Sequence, residues 1–139
     1  MRFMGIDPGT RRVGLALGDD EGGLASPHKT LTRVDDPSLL REILSEAKAH
    51  EVESVVLGLP LRMNGLEGPE AKYARALGKA IEQRGKLPVV LWDERLTTVS
   101  AERQLRAVGK RGDKKKAVLD QVAATVLLQS YLDARQRSP

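Results

Sequence analysis

Hydrophobic and polar positions in the first quarter of the chain alternate at a spacing that predicts β-strands. Residues 2–7 form an apolar run that ends at a Pro-Gly turn. Residues 12–18 alternate well enough to pair with this run as an antiparallel strand. After a segment with the composition of a turn, residues 26–33 offer a third, partly polar strand. The chain is therefore expected to open with three strands joined by short connections.

A helical pattern follows the three strands. Asp36 and Pro37 have the chemistry of a helix start, with Asp36 as the expected N-cap and Pro37 at the first helical position. Apolar residues then recur at helical spacing, namely Leu39, Leu40, Ile43, Leu44 and Ala47. The pattern predicts an amphipathic helix with one buried face.

The rest of the chain alternates between strands and helices. Apolar runs predict strands at residues 53–59 and 87–92. A helix is expected at residues 70–83, with Gly85 as its C-terminal cap. A second is expected from a cap at Thr97 or Thr98 to about residue 108, and a third at residues 116–135. The fold class that this order favours is α/β, with a five-stranded mixed sheet and helices on both faces. The length of 139 residues suits one domain.

Three acidic residues stand in unusual places in this pattern. Asp7 ends the first strand, Glu94 follows the fifth strand, and Asp120 interrupts the apolar pattern of the last helix. Buried carboxylates are costly unless a cation or a hydrogen-bond network compensates them. If the fold brings the three together, they form an oxygen-ligand site for Mg²⁺ or Mn²⁺. Asp93 competes with Glu94, because adjacent residues at a strand end point to opposite faces.

Composition narrows the kinds of site that the chain can hold. The absence of cysteine excludes disulfides and thiolate metal sites. The two histidines, His28 and His50, are expected at the surface and are too few for a histidine-based zinc centre. Any metal is therefore expected on carboxylates. No apolar stretch approaches the roughly 18 to 20 residues of a membrane span, and no signal peptide is recognisable. We expect a cytoplasmic protein without membrane contacts.

The positive charge is concentrated in one part of the chain. The net charge is +4, and residues 103–116 contain seven basic residues against the single acid Asp113. These are Arg103, Arg106, Lys110, Arg111, Lys114, Lys115 and Lys116. Such a cluster is typical of a polyanionic partner such as nucleic acid, although a solvated loop is the alternative. With 3% aromatic residues, phosphate contacts would dominate over base stacking.

Four segments, in order from Met4 to Tyr131, resemble the YqgF family of ribonuclease H-like Holliday junction resolvases. They are GIDPGTRRVG at residues 5–14, GLPLRMNG at 58–65, DERLTT at 93–98, and Asp120 with the following AA and LLQSYL. The resemblance implies a ribonuclease H-like fold and a divalent-metal nuclease centre at Asp7, Glu94 and Asp120. It also implies Mg²⁺ or Mn²⁺ as cofactor, with two ions roughly 4 Å apart in such sites.

The resemblance leaves the substrate open. The family is linked both to branched DNA and to trimming the end of small-subunit (16S) ribosomal RNA precursors. A resolvase must cut two strands symmetrically, so that role predicts a two-fold homodimer, whereas RNA trimming carries no such requirement.

Nucleic-acid contacts are expected around the three acids. The candidate residues are Thr10, Arg11, Asn64, Arg95, Lys110, Arg111, Lys114, Lys115 and Lys116. Turn chemistry is the ordinary role of Asn64 and Gly65, and Arg95 has the alternative of pairing with Asp93.

Two other functions remain open. A non-catalytic domain would bind structured nucleic acid without cleaving it. A small phosphate-loop ATPase or kinase would bind its nucleotide with Asp7 to Gly14, although such proteins need a second lobe that 139 residues do not hold.

Overall fold

A computed structural model describes residues 1–97 and 113–137, except for the side chains of 113–115, and shows a five-stranded mixed sheet. The strands are β1 (Arg2–Pro8), β2 (Arg12–Asp19), β3 (Ala25–Thr32), β4 (Ser54–Leu59) and β5 (Val89–Asp93). The helices are α1 (Asp36–Ala49), α2 (Pro69–Gly85) and α3 (Asp113–Arg137), with a 3₁₀ turn at Glu94–Leu96 after β5. The expected fold class is confirmed.

β1 lies at the centre of the sheet, whose strand order is β3-β2-β1-β4-β5. It pairs antiparallel with β2 and parallel with β4, and β4 pairs parallel with β5. The carboxyl ends of β1, β4 and β5 therefore meet at one edge, which is where open α/β sheets bind their ligands. Asp7 lies at this edge and is opposite Gly14 of β2.

The two faces of the sheet are covered by different helices. Met4 and Ile6 of β1 belong to the core beneath α1 and α2, whereas Phe3 packs with Ala124 and Leu128 of α3. Because successive strand residues point to opposite faces, Asp7 falls on the α3 face together with Phe3.

The start of α1 differs from the prediction by one residue. Asp35, not Asp36, is the N-cap: its side chain accepts a hydrogen bond from the Ser38 N–H at 2.8 Å. The Leu39 N–H, one of the two that an Asp36 cap could bind, donates to the Asp35 carbonyl at 3.0 Å. Asp36 instead pairs with Arg33 at 2.7 Å.

The end of α2 also differs from the prediction. Gly85 is inside the helix, and the left-handed cap is Lys86, with φ of 54°. The glycine at 85 serves packing, since a Cβ there would collide with Leu44 of α1. A close helix–helix approach has no local sequence signal, whereas a glycine near a helix end resembles a cap.

The last helix begins before the predicted residue 116. α3 starts at Asp113, so Lys114, Lys115 and Lys116 lie in its first turns. Lys110, Arg111 and the predicted helix from Thr97 or Thr98 to residue 108 lie outside the described residues, except for Thr97, which follows the 3₁₀ turn. Of the helices that are described, none combines the length and the apolar character needed to cross a membrane.

Candidate functional site

The three acids singled out from the sequence are the acidic side chains that the described part of the chain buries. Asp7 and Glu94 are each 2% exposed, and Asp120 is 6% exposed. A buried carboxylate lowers stability unless something compensates its charge. Three of them in one small domain therefore indicate a site.

Asp120 is brought to Asp7 by the close approach of α3 to the sheet. A Cβ on Gly14 would overlap the backbone carbonyl of Asp120, so glycine is required at this point. Gly14 is the residue directly opposite Asp7 in the antiparallel pair. The start of α3 thus crosses the sheet beside the end of β1.

Glu94 reaches the same region from the other side. It follows β5, and its Oε1 would lie 2.7 Å from a Cβ placed on Gly58 of β4, with Pro8 Cδ 3.3 Å from the same point. Val56 lies on the α3 face, so Gly58, two residues further along β4, faces α3 as well. The carboxylate of Glu94 therefore lies over β4, next to the end of β1, on the same face as Asp7.

The donor set fits hard divalent cations. Buried carboxylate oxygens are the ligands that Mg²⁺ and Mn²⁺ prefer. Among the described residues, a group of possible ligand atoms that all lie within 4.8 Å of one another is found elsewhere, at His28, Glu46 and His50. Asp7, Glu94 and Asp120 are spaced more widely.

Arg12 is a member of this site that the sequence did not reveal. Its Nε donates to Asp120 Oδ2 at 2.8 Å, and the Asp120 side chain is 8% exposed. The guanidinium balances the charge of this carboxylate and fixes its direction. The partners are 108 residues apart, and only the folding of α3 onto β2 brings them together.

Asp93 and Glu94 have separate roles. Asp93 binds the Arg95 guanidinium through two oxygens, with Arg95 Nη2 at 2.8 Å from Oδ2, and also accepts the Arg95 N–H. The hydrogen bonds from the Arg95 side chain hold the pKa of Asp93 below its usual range. Glu94 is thus the acid that faces the site, and the pairing of Arg95 with Asp93 is confirmed.

The remaining predicted contacts lie around this edge. Thr10 and Arg11 are exposed in the turn between β1 and β2. Asn64 has its ordinary turn role, since its Oδ1 accepts the Leu66 N–H at 3.0 Å. Lys116 precedes Asp120 by four residues on α3, so the two share a side of the helix. Their contacts with nucleic acid stay a prediction.

A second cluster contains both histidines, whose side chains are partly exposed, at 18% for His28 and 42% for His50. His28 and His50 both lie against Glu46, and the three offer ligand atoms within 4.8 Å of one another. The sequence alone could place two of the three residues together, because Glu46 and His50 are spaced i, i+4 along one helix. His28 is distant in sequence, and no local pattern connects it to α1.

Comparison with known proteins identifies the family. The family model described as "RuvX: Holliday junction resolvase" matches residues 1–134. A protein of Geobacillus sp. (strain WCH70), 42% identical over 98% of this chain and 100% of its own, carries the name "Putative pre-16S rRNA nuclease". A Lachnospira eligens protein of the same name is 41% identical over 99% of this chain and 100% of its own.

Solved structures share the fold. Thermus thermophilus RuvC in complex with a Holliday junction substrate superposes with a TM-score of 0.62 at 16% identity, covering 98% of this chain and 96% of RuvC. The Fowlpox virus resolvase, in complex with Holliday junction DNA, gives 0.60 at 13% identity over 99% of this chain and all of its own. The ribonuclease H-like fold is thereby confirmed. With the family match over nearly its whole length, the chain belongs to the RuvX (YqgF) Holliday junction resolvase family.

Proposed function

We propose that this protein is a divalent-metal-dependent nuclease that hydrolyses phosphodiester bonds of structured nucleic acid. One observation carries the proposal: the buried acids of the described residues, Asp7, Glu94 and Asp120, all lie at one edge of the sheet on the α3 face. Membership of the RuvX family supports the same activity. A non-catalytic binding domain gives no comparable reason to bury three carboxylates there, and the homologues favour a nuclease over a small ATPase.

The metal ligands in this proposal are Asp7, Glu94 and Asp120, with Mg²⁺ or Mn²⁺ as the cation. Bound there, two such ions would lower the pKa of an attacking water and stabilise the leaving oxygen. The chain itself contributes a fixed arrangement of oxygens: Arg12 orients the Asp120 carboxylate, and Gly58 leaves the space that Glu94 occupies.

Substrate binding in this proposal depends on phosphate contacts around the carboxylates. Thr10 and Arg11 lie at the exposed turn after β1, and Lys116 lies one helical turn from Asp120. Arg95 is held by Asp93 beside Glu94 and remains 35% exposed, so it can donate to a phosphate from its free edge. Asn64, together with Lys110, Arg111, Lys114 and Lys115, completes the proposed surface. Such contacts position a backbone without reading its sequence.

Two substrates fit the proposal, and both are retained. The family description names Holliday junctions, and the curated relatives are named for precursor 16S ribosomal RNA. A four-way DNA junction requires paired cuts and hence a two-fold homodimer, whereas an RNA end requires one cut. With either substrate, the location that we propose for the protein is the cytoplasm.

The decisive experiment incubates the wild-type protein with a labelled four-way junction and with precursor 16S RNA in Mn²⁺. Asp7→Asn and Asp120→Asn remove candidate ligands, and Asp133→Asn is a matched control on the exposed side of α3. We expect cleavage by the wild type and the control, and none by the ligand variants.

Each result has a defined meaning. Symmetric junction cuts support a resolvase, and RNA cleavage alone supports an RNA-processing nuclease. Absence of metal-dependent cleavage of both substrates, with binding retained, would overturn the proposal in favour of a non-catalytic binding domain.

A further inference from the structure

We propose that His28, Glu46 and His50 form a second metal site, which binds a zinc-like transition-metal ion. This site lies on the sheet face opposite the carboxylate centre, the name used below for Asp7, Glu94 and Asp120 together. His28 Nε2 lies 2.7 Å from Glu46 Oε1, and His50 Nε2 lies 3.8 Å from the same oxygen. The two imidazole rings are 4.5 Å apart between centroids and are inclined at 75°. Two nitrogens and one oxygen thus converge on one small volume.

A β-bulge in the edge strand directs His28 into this cluster. In the pairing of β3 with β2, Lys29 is opposite Leu15 and Pro27 is opposite Ala16, so His28 is an extra residue without a partner position. As a result, the consecutive residues His28 and Lys29 both contact Glu46 of α1. Bulges redirect side chains in this way, and they are frequent at sheet edges and near functional sites.

The end of α1 supplies the other two ligands. Glu46 and His50 are one turn apart, and the His50 N–H donates to the Glu46 carbonyl at 3.1 Å as the helix cap. Helical geometry therefore fixes the distance between these two residues before any ion arrives. Their separation from β3 is fixed by the core packing of α1, in which Ile43 and Ala47 are buried.

The donor set favours a transition metal over Mg²⁺. Imidazole nitrogens with one carboxylate suit Zn²⁺, Co²⁺ or Ni²⁺, and a site with three protein ligands leaves a position for water. In a tetrahedral site with bonds of about 2.0–2.1 Å, the ligand atoms stand about 3.4 Å apart. The observed separations of 2.7 and 3.8 Å lie on either side of that value, and the ligand atoms of His28 and His50 lie within 4.8 Å of each other.

The charges around the cluster influence how tightly it can bind a metal ion. Lys29 Nζ holds Glu46 Oε2 at 2.9 Å, which leaves Oε1 for the ion and orients the carboxylate. Arg2 donates to the His50 carbonyl and pairs with Glu51. Because Lys29 and Arg2 are cations, we expect weaker binding than in a zinc site with four protein ligands.

The position of the site indicates a structural role. β3 is the outer strand of the sheet, and α1 packs on the face away from Asp7. An ion at this cluster would link the edge strand to the end of α1, and it would not touch the carboxylate centre. Its measurable consequence is stability, because a ligand that binds only the folded state raises the melting temperature.

The test measures Zn²⁺ and Co²⁺ binding to the full chain, without a histidine tag, in an Asp7→Asn/Asp120→Asn background that disables the other candidate metal centre. Calorimetry with Zn²⁺ is expected to give one equivalent bound, with a higher melting temperature. Co²⁺ is expected to give visible absorption bands typical of nitrogen and oxygen ligands. His28→Gln, Glu46→Gln and His50→Asn should each weaken binding by at least about tenfold.

Glu42→Gln is the matched control, since Glu42 is exposed on the same helix one turn earlier. Circular dichroism of each variant without metal establishes that it is folded. Zn²⁺ binding that is absent from the folded background protein would overturn the proposal. So would binding that persists unchanged in folded His28→Gln and His50→Asn variants.

Discussion

Arg12 contributes directly to the charge balance of the carboxylate centre through Asp120. Its guanidinium lies 2.8 Å from Asp120, whose side chain is nearly inaccessible to water. Removal of one partner leaves a buried charged acceptor with less compensation, which costs about 1–3 kcal/mol. A divalent cation bound at the same carboxylate would supply the missing positive charge.

Arg12→Ala is therefore expected to lower the free energy of unfolding by about 1–3 kcal/mol in EDTA. Saturating Mn²⁺ should raise the melting temperature of this variant more than that of the wild type, because the ion replaces the guanidinium. Thermal denaturation with and without Mn²⁺ measures both effects. Arg11→Ala, in the exposed turn next to it, is the control. Equal Mn²⁺ shifts in Arg12→Ala and wild type would contradict a metal ligand role for Asp120.

Gly58 matters because it has no side chain. The Glu94 carboxylate lies where a side chain at position 58 would be. In Gly58→Ala the new Cβ would lie 2.7 Å from Glu94 Oε1. The end of a flexible side chain can move away, so we expect the fold to survive and the carboxylate to be displaced. A misplaced catalytic group can cost about a hundredfold in rate.

We expect Gly58→Ala to reduce kcat by up to about a hundredfold, with little change in melting temperature. Single-turnover cleavage in Mn²⁺ measures the rate, and circular dichroism measures stability. Gly22→Ala, in an exposed turn with its nearest contact at 3.4 Å, is the control. Full activity of Gly58→Ala would argue against Glu94 as a ligand.

Residues of this kind differ in how far the sequence reveals them. Asp7, Glu94 and Asp120 stood out because a polar residue in an apolar pattern can be recognised within a few positions. Arg12 and the His28 cluster could not be recognised, because each depends on a partner far along the chain: Asp120 in one case and Glu46 in the other. The sequence does not show how α3 and α1 pack on the sheet.

At the scale of elements, the N-terminus of α1 shows how a single residue decides a helix boundary. The hydrogen bond from the Ser38 N–H holds the pKa of Asp35 below its usual range. A carboxyl whose pKa is lower in the folded state stabilises the fold above its unfolded pKa, which is about 3.9. That contribution is lost as the pH falls through the folded value.

Asp35→Ala is expected to destabilise the protein at pH 7, and the difference from wild type should shrink as the pH falls below about 3.9. Urea denaturation at pH 7 and at low pH measures the change. Asp36→Ala is the informative comparison, because Asp36 was the N-cap expected from the sequence and pairs only with Arg33 in the described contacts. If Asp36→Ala cost more stability at pH 7 than Asp35→Ala, the observed cap would be wrong.

Within residues 1–97 and 113–137, element order and type followed from the sequence because hydrophobic periodicity reports burial directly. The ends of elements did not, because they depend on contacts between elements. Gly85 resembles a helix cap, yet it is a packing position against Leu44 of α1, and the cap falls on Lys86. Residues 114 and 115 fall before the predicted start of the last helix at 116, yet α3 already includes them. Lysine is a good helix former, so local propensity does not oppose this earlier start.

For the whole molecule, the distribution of charge determines how the protein binds a polyanion. The excess of basic residues is small, at 23 Lys and Arg against 19 Asp and Glu. Association therefore depends on local clusters more than on net charge. Lys114, Lys115 and Lys116 begin the helix that also carries Asp120, so they link the proposed binding surface to the carboxylate centre.

Replacement of these three lysines by alanine should weaken nucleic-acid binding and make it less sensitive to salt. Each lost phosphate contact reduces the slope of log K against log salt by about 0.9 on duplex DNA, so the triple variant should lose up to about 2.7. Binding to the four-way junction at several salt concentrations measures this slope in the Asp7→Asn background, which prevents cleavage.

Lys48→Ala/Lys79→Ala/Lys86→Ala carries the same change in charge on α1, on α2 and just after α2, and these helices cover the sheet face opposite α3. We expect this control to keep nearly the wild-type slope, because its lysines lie on the opposite side of the sheet from the proposed phosphate contacts. Equal losses of slope in the two triple variants would mean that binding responds to total charge alone. In that case the start of α3 would have no special part in holding the substrate, and the surface around Asp120 would have to be assigned on other grounds.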